Sequence, residues 1–376
     1  MNMQTAEVVV IGAGIVGAST AYYLARAGMD VMLVDRRYPN TGGTASQASA
    51  GGVRQQGRVP VEMPLAIYSI NLWGSLAEEL ETDLKYRRDG MTVVTDDESL
   101  IPSLEQRVAQ EQSLGLDIRM VRGAELHSLI AGLSPRILAG SYCPTDGHAD
   151  PLSTVNALVN AARRLGARTK WQCQVENLVV ENGKVNAVKT SGGSIGCRYV
   201  VLAAGYWSRS IAAAVGIDLP FVYFPLQMMV TARQPHVLDQ VLGWVNHGIS
   251  LKQVPSGGFV IGGGWPGQGD PKTYQTRLLP GSMAKSAETT VSLFPSLAGI
   301  PIVRAWLGIE AFCIDEMQIV GPAGSVDGII VAAGFSGHGF AVGPGIGSLI
   351  AQYIATGQWS DMLKPFGLER FQANIT

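Results

Sequence analysis

The residues best suited to chemistry open the chain. Gly12-Ala-Gly14-Ile15-Val16-Gly17 is a G-x-G-x-x-G, and Asp35 lies 18 residues beyond its last glycine. The motif carries meaning only between a strand and a helix. Here the apolar run Glu7 to Gly12 precedes it and a helix-like segment, Ala13 to Ala27, follows. In that setting the first glycine permits a tight turn and the second lets backbone approach a pyrophosphate. The third permits close helix–strand contact. The helix N-terminus adds unpaired N–H groups and partial positive charge. Asp35 ends the next apolar run, where its carboxylate accepts from ribose hydroxyls and disfavours a 2′-phosphate. Together these features predict a dinucleotide site. The bland alternative is a glycine-rich turn with no ligand.

Three further stretches bear on which dinucleotide. Thr44-Ala45-Ser46-Gln-Ala-Ser49-Ala50-Gly51-Gly52-Val-Arg54 is rich in small residues, so its N–H groups can converge on phosphate oxygens, with Ser46 and Ser49 as hydroxyl donors. Val200 to Leu202 reads as a strand ending in Ala203-Ala204-Gly205, which lets backbone lie close to a cofactor. Gly334-Phe335-Ser336-Gly337-His338-Gly339-Phe340 precedes a helix, and consecutive N–H groups there suit an anionic flavin N1–C2=O locus. A nicotinamide enzyme has no need of this last stretch, so the pattern favours FAD over NAD. Arg36, Val175 and Trp207 complete the cofactor positions.

The elements that must position these residues follow from periodicity. Strand, glycine turn, helix and strand over Glu7 to Asp35 make a βαβ unit. Thr41 to Gly57 reads as a polar loop. Helices are expected over Pro64–Leu84, Leu104–Leu114, Leu152–Leu165, Ala284–Phe294 and Pro344–Ala355. Strands are expected within Tyr86–Asp97, Thr169–Ser194, Tyr199–Ala203, Phe221–Arg233, Gly258–Gly262, Ile319–Val320 and Gly328–Ala332. Glu181-Asn-Gly-Lys184 signals a hairpin. The fold class is α/β (α+β): a Rossmann-like FAD-binding domain from residues 1–85, 146–216 and 320–376, interleaved with a sheet-rich substrate-binding domain from residues 86–145 and 217–319.

Composition narrows the classes. Of 376 residues, 47% are hydrophobic and 15% charged, which excludes global disorder. The net charge of −2 gives no footprint for nucleic acid and no polybasic membrane patch. The uncharged stretches Val8–Ala25 and Gly328–Ser360 are broken by glycines, so no membrane span is expected. Cys143, Cys173, Cys197 and Cys313 form no C-x-x-C pair, and the five histidines show no metal spacing. No metal is expected. Reduced thiols point to the cytoplasm.

The chain resembles the D-amino-acid-oxidase-like superfamily of FAD-dependent amine oxidoreductases. Within it the resemblance is to the branch that holds the sarcosine oxidase β-subunit, together with the β-type subunits of proline, hydroxyproline and opine dehydrogenases. The resemblance covers nearly the whole chain. It rests on Val10 to Gly17, Ala48 to Arg54, Asp146-Gly-His-Ala-Asp-Pro151, Ala203 to Gly205 and Gly334 to Phe340. It implies that an amine loses hydride to flavin N5 and leaves as an imine that hydrolyses. The favoured substrate is a secondary amino acid of the sarcosine, proline/hydroxyproline or opine type. Primary D-amino acids, or a subunit inactive without an FMN or iron–sulfur partner, remain the alternatives. It also implies α-type and small iron–sulfur partner subunits.

Departures from the superfamily pattern matter. The covalent-flavin cysteine of monomeric sarcosine oxidases maps to Gly308, with Cys313 misplaced, so FAD is expected to bind noncovalently. The substrate-carboxylate lysine maps to Ala341. The oxygen-activating lysine maps to Val260, with Lys252 the nearest lysine upstream, which suggests weak oxygen use. Pro151 stands near the place of a covalent-FMN histidine, leaving only noncovalent FMN at a subunit interface open. Arg54, His338 and Glu310 are the candidate catalytic residues: Arg54 near the flavin, His338 beside its edge, Glu310 facing a cationic substrate group. Tyr206, Trp207 and Trp265 are either lining or core aromatics. His148 is read as structural, and His127, His236 and His247 as ordinary surface or loop residues.

Overall fold

The computed structural model describes residues 4–39, 41 and 43–374. Two large sheets organise it. A six-stranded sheet runs Arg168–Lys170, Val31–Val34, Val8–Ile11, Tyr199–Leu202, Ile329–Ala333, Ile319–Pro322, all parallel except the last pair. Its central strands are buried on both faces, which is why they read as unbroken Val/Ile/Leu runs. Val8, Val10, Leu33 and Val201 join one core, against the helices. Val9, Ile11, Val34 and Val200 join the other, under the hairpin Val175–Glu181/Lys184–Thr190. Asn182 and Gly183 both have positive φ (50° and 75°), the turn that the Asn-Gly pair predicts.

The helix Ile15–Arg26 packs against the C-terminal helix Gly339–Thr356 through missing side chains. A Cβ on Gly343 would lie 2.8 Å from Ile15, and one on Gly347 2.6 Å from Ser19. The C-terminal helix contains Pro344, which breaks its ladder. The carbonyl of Ala341 instead accepts from Ser69 Oγ (2.7 Å) and Trp73 Nε1 (2.9 Å), both on the helix Met63–Glu79. Ser69 Oγ in turn accepts from the Gly345 N–H (3.0 Å). The helix ends at Gly357, in the left-handed conformation that glycine tolerates.

The second sheet has nine strands, in the order Gly43–Thr44, Ile302–Cys313, Phe221–Thr231, Phe259–Gly263, Ile249–Gln253, Val241–Trp244, Met91–Thr95, Ala139–Cys143, Arg119–Arg122. It is mostly antiparallel, and its own core includes Val94, Leu242, Phe259 and Phe294. Within the stretch that reads as a loop, Thr41 to Gly57, the residues from Gly43 onward form short elements. Gly43–Thr44 pairs with Gly308 and Ile309, Ala45–Ala48 forms one helical turn, and Gly52–Val53 pairs with Gly147–His148. The loop reading fails because these short pairings are made with strands roughly a hundred residues away or more, which no local pattern records. The C-terminal helix begins five residues before the Pro344 expected to open it.

Candidate active site

Gly12, Asp35, Ala203 and Gly334 each follow the last residue of a parallel strand, so all four meet along the carboxyl edge of the six-stranded sheet. Ligands of open α/β sheets bind along that edge. There a cavity of about 640 Å³ runs between the two large sheets. Gly12, Gly14, Ile15, Val16, Asp35, Arg36, Thr44, Ala45, Ser46, Ser49, Ala50, Gly52, Arg54, Val175, Ala203, Ala204, Gly205, Trp207, Glu310, Gly334, Phe335, Gly337, Gly339 and Phe340 all line it. The structure therefore brings the four sequence stretches into one wall.

Four predicted positions stand behind that wall. Gly17 sits under the turn, where a Cβ would lie 1.8 Å from the Gly12 carbonyl oxygen. The absent side chain of Gly51 makes room for the Ala149 carbonyl and Lys252 Nζ. Ser336 bonds inward, its Oγ accepting from the Cys313 N–H (3.0 Å). His338 is turned by the first helical turn toward Glu62, with Nδ1 3.3 Å from its carboxylate. Burial, then Arg58, pushes the His338 imidazole down to about 4. Burial acts to raise the Glu62 carboxyl, but His338 and Arg58 hold it below its ordinary value.

Whether the cavity suits a dinucleotide is testable from its glycines. Cβ atoms built on Gly52, Gly205, Gly264 and Gly337 meet no atom within 4 Å, although all four residues line the cavity. Their missing side chains leave a cradle for a ligand rather than for protein. Neither the first helix nor the C-terminal helix, both of which begin here, is capped by the side chain of its own N-cap residue, Gly14 or His338. Two helix N-termini thus present partial positive charge to one cavity. Ser46 Oγ accepts from the Ile15 N–H (3.0 Å) and so ties the second stretch to the first. Asp35 accepts from the Ala13 N–H (2.7 Å) and the Arg37 N–H (2.8 Å), which orients its carboxylate beside the turn. Beyond it the Arg36 guanidinium lies 3.8 Å from the Trp207 ring centroid and 3.7 Å from that of Tyr274. The residues present fit FAD.

The other end carries charge of both signs. Glu310 accepts one hydrogen bond, from the Gly337 N–H (2.8 Å), and burial pushes its carboxyl up to about 7. Arg54 Nη1 donates to the carbonyls of Gln56 (2.6 Å) and Gly57 (3.3 Å). Arg107, from the helix Ile101–Ser113, also lines the cavity. Sequence reasoning misses Arg107. Its signal is that Arg107 and Glu111 share the helix face of the buried Leu104 and Val108, where charge is out of place. Tyr274 is missed too, with no local signal. Trp207 lines the cavity, whereas Tyr206 packs on Phe221 and Tyr223, and Trp265 stands off the lining.

Two mapped positions gain meaning from the geometry. Gly308 lines the cavity, but a Cβ there would lie 2.4 Å from Ala48 Cβ, so no side chain fits. Val260 is the cross-strand partner of Lys252. A directly opposed pair points its side chains to one face, and neither residue is among those lining the cavity. Lys252 is 4% exposed, its Nζ donates to the Ala149 carbonyl (3.2 Å), and burial pushes its amine down to about 7. His148 is also buried, and burial pushes its imidazole down to about 3.

Residues 7–353 match the family described as DAO, FAD-dependent oxidoreductase. The chain belongs to that family. Dimethylglycine dehydrogenase of Rattus norvegicus is 27% identical over 390 residues, covering 98% of this chain and 44% of that one. This chain spans less than half the length of the dimethylglycine dehydrogenases it matches. An opine oxidase subunit of Agrobacterium tumefaciens is 27% identical over 384 residues, 99% of each chain. The crystal structure of L-proline dehydrogenase from P. horikoshii superposes with a TM-score of 0.92 at 25% identity, over 99% of each chain. Among the described residues no helix is long and apolar enough to cross a membrane.

Proposed function

We propose that this chain oxidises the C–N bond of a secondary amino acid of the sarcosine, proline/hydroxyproline or opine type, as the β-type catalytic subunit of a larger dehydrogenase or oxidase. One observation carries the reading: a single cavity joins a dinucleotide cradle to a compartment holding a guanidinium, Arg54, and a weakly acidic carboxyl, Glu310. An amino acid presents the complementary pair, a carboxylate and an amine. When bound, the flavin supplies a two-electron acceptor for the C–H bond beside the nitrogen.

In this reading the turn Gly12–Gly14 and the N–H groups of the first helix hold the pyrophosphate, and Asp35 accepts from the ribose. Arg36, clamped between Trp207 and Tyr274, closes the far end. The N-terminus of the C-terminal helix stabilises negative charge on the isoalloxazine. Arg54 anchors the substrate carboxylate. Glu310 accepts a proton from the incoming ammonium at its carboxylate oxygens, so the amine is presented neutral with its lone pair free. Gly308, which admits no side chain, supports noncovalent FAD. The FAD-binding part is drawn from residues 1–85, 146–216 and 320–376, and the substrate-binding part from 86–145 and 217–319. Electrons leave to α-type and small iron–sulfur subunits. That two relatives are themselves named as subunits supports this assignment.

The test is turnover with an artificial electron acceptor across sarcosine, proline, hydroxyproline, an opine and a panel of primary D-amino acids. Secondary amines are expected to be preferred by at least about tenfold in kcat/KM, a difference of about 1.4 kcal/mol in transition-state binding. Preference for the primary D-amino acids overturns the assignment.

A further inference from the structure

Residues 266–279 form a strap that leaves the nine-stranded sheet and returns to it. Its stem is the short pairing of Gln268–Gly269 with Thr276–Arg277. Both feet are fixed to the strand Phe221–Thr231. The Gly267 N–H donates to the Pro225 carbonyl (2.7 Å), and the Leu279 N–H donates to Gln227 Oε1 (3.0 Å). The tip is shaped locally. The Asp270 carboxylate accepts from the Lys272 N–H (2.8 Å) and the Thr273 hydroxyl (3.1 Å), and the Asp270 carbonyl accepts from the Tyr274 N–H (2.8 Å). Tyr274 has a φ of 61°, a left-handed conformation that is costly for a bulky side chain.

The tip crosses to the part of the chain that carries the glycine turn. Trp207 Nε1 donates to the Pro271 carbonyl (2.8 Å). The Arg36 guanidinium fills the space between two rings, one from each side: 3.8 Å from the Trp207 centroid and 3.7 Å from that of Tyr274. Arg37 lies 5.3 Å from the same Tyr274 ring. Arg36, Trp207 and Tyr274 line the cavity at the end where Asp35 and Val175 also face it. Pro271 is buried and Tyr274 half-buried, whereas Lys272, Thr273 and Gln275 are exposed. The strap thus has an inner face against the cavity and an outer face in solvent. A cation between two aromatic faces is attractive, the more so when partly desolvated. Strain of the kind seen at Tyr274 persists only where the surroundings hold the residue in place, and the stack on Arg36 is what its ring touches.

We propose that residues 266–279 are a latch over the adenosine end of FAD, which enters and leaves only when Tyr274 swings off Arg36. Tyr274 is then the residue that sets the rate of cofactor exchange. The proposal rests on the FAD reading of the cavity and not on which amine is oxidised.

Two variants separate the ring from the backbone. Tyr274→Asn removes the ring, and asparagine tolerates the left-handed conformation. Tyr274→Phe keeps the ring. FAD release from the loaded chain on dilution, and FAD uptake by the FAD-free chain, are both followed by flavin fluorescence. A latch opens for traffic in both directions. Tyr274→Asn should therefore speed release and uptake alike, each at least about fivefold, the scale of a lost cation–π contact, while Tyr274→Phe stays within about twofold of the parent. Faster release with unchanged uptake would make Tyr274 an ordinary contact and overturn the latch. No change in either rate also overturns it. Trypsin reads the strap without the cofactor, at the bond after Lys272. Cutting there tracks the population of the opened form, so the FAD-free Tyr274→Asn chain should be cut at least about fivefold faster than the FAD-free parent. Equal cutting overturns the latch. A parent chain that takes up no FAD defeats the FAD reading, and the trypsin comparison still judges the latch.

Discussion

Glu310→Gln separates stability from function. The carboxyl is half-buried in the cavity wall, keeps a single donor at 2.8 Å, and burial pushes it up to about 7 from its ordinary 4.5. A carboxyl whose folded-state value is raised weakens the fold as pH rises: nothing is lost below the unfolded value, and the full penalty is present above the folded one. The difference is 7 − 4.5 = 2.5. At about 1.4 kcal/mol per unit this is a ceiling of about 3 kcal/mol at about pH 8. Because one side of the carboxyl faces the cavity, water relieves part of it, and about 1–3 kcal/mol is expected. The amide oxygen of glutamine keeps the bond to Gly337 without ionising. Urea melts of the FAD-free variant should therefore match the parent near the ordinary value of 4.5 and exceed it once the pH is well above 7. In the FAD-loaded chain, kcat/KM should rise through about pH 7 in the parent, as Glu310 becomes able to take a proton, and lose that limb in the variant. A variant that gains no stability over the parent in alkaline buffer, or one retaining the limb, refutes the role.

Three further outcomes follow. Gly52→Ala, whose Cβ meets no protein atom within 4 Å, should leave the melting temperature of the FAD-free chain within a few degrees while weakening FAD binding, read by flavin fluorescence titration. Lys252→Met should stabilise the FAD-free chain most below about pH 7, with the gain fading toward pH 10.5, because the cost of burying the charged amine is complete below the folded-state value and vanishes above the unfolded one; a pH series of melts checks this. Asp150→Ala removes the cap whose Oδ1 accepts from the Ser153 N–H (2.7 Å) and should cost about 1 kcal/mol in denaturant melts.

The nucleotide half of the fold is legible in the sequence because independent signals coincide at short range. Gly12 to Asp35 combines a buried strand, a glycine turn and a helix, and the Asn182-Gly183 turn fixes a hairpin without any distant contact. The long strand Ile302–Cys313 is not legible, because Gly308 and Glu310 interrupt its apolar run for reasons that lie in the cavity. Arg107 and Tyr274 reach the site only through tertiary packing. The neighbours of His338 in sequence place it beside the cofactor edge. One residue of helical rotation turns it instead to Glu62, leaving Gly337 and Gly339 on the wall. Ala341 shows the same effect: a position in the first turn of the helix is buried off the cavity lining, its carbonyl held by Ser69 and Trp73.

The most direct test is anaerobic. The FAD-loaded chain is mixed with a secondary amino acid panel, with two carboxylates and with one, and the visible flavin band is followed. Complete bleaching at one amine per flavin, lost in the Arg54→Met variant at the same concentration, is the predicted result. A flavin that binds in the cavity yet stays oxidised with every amine in the panel contradicts the claim that this chain alone holds the amine-oxidising site.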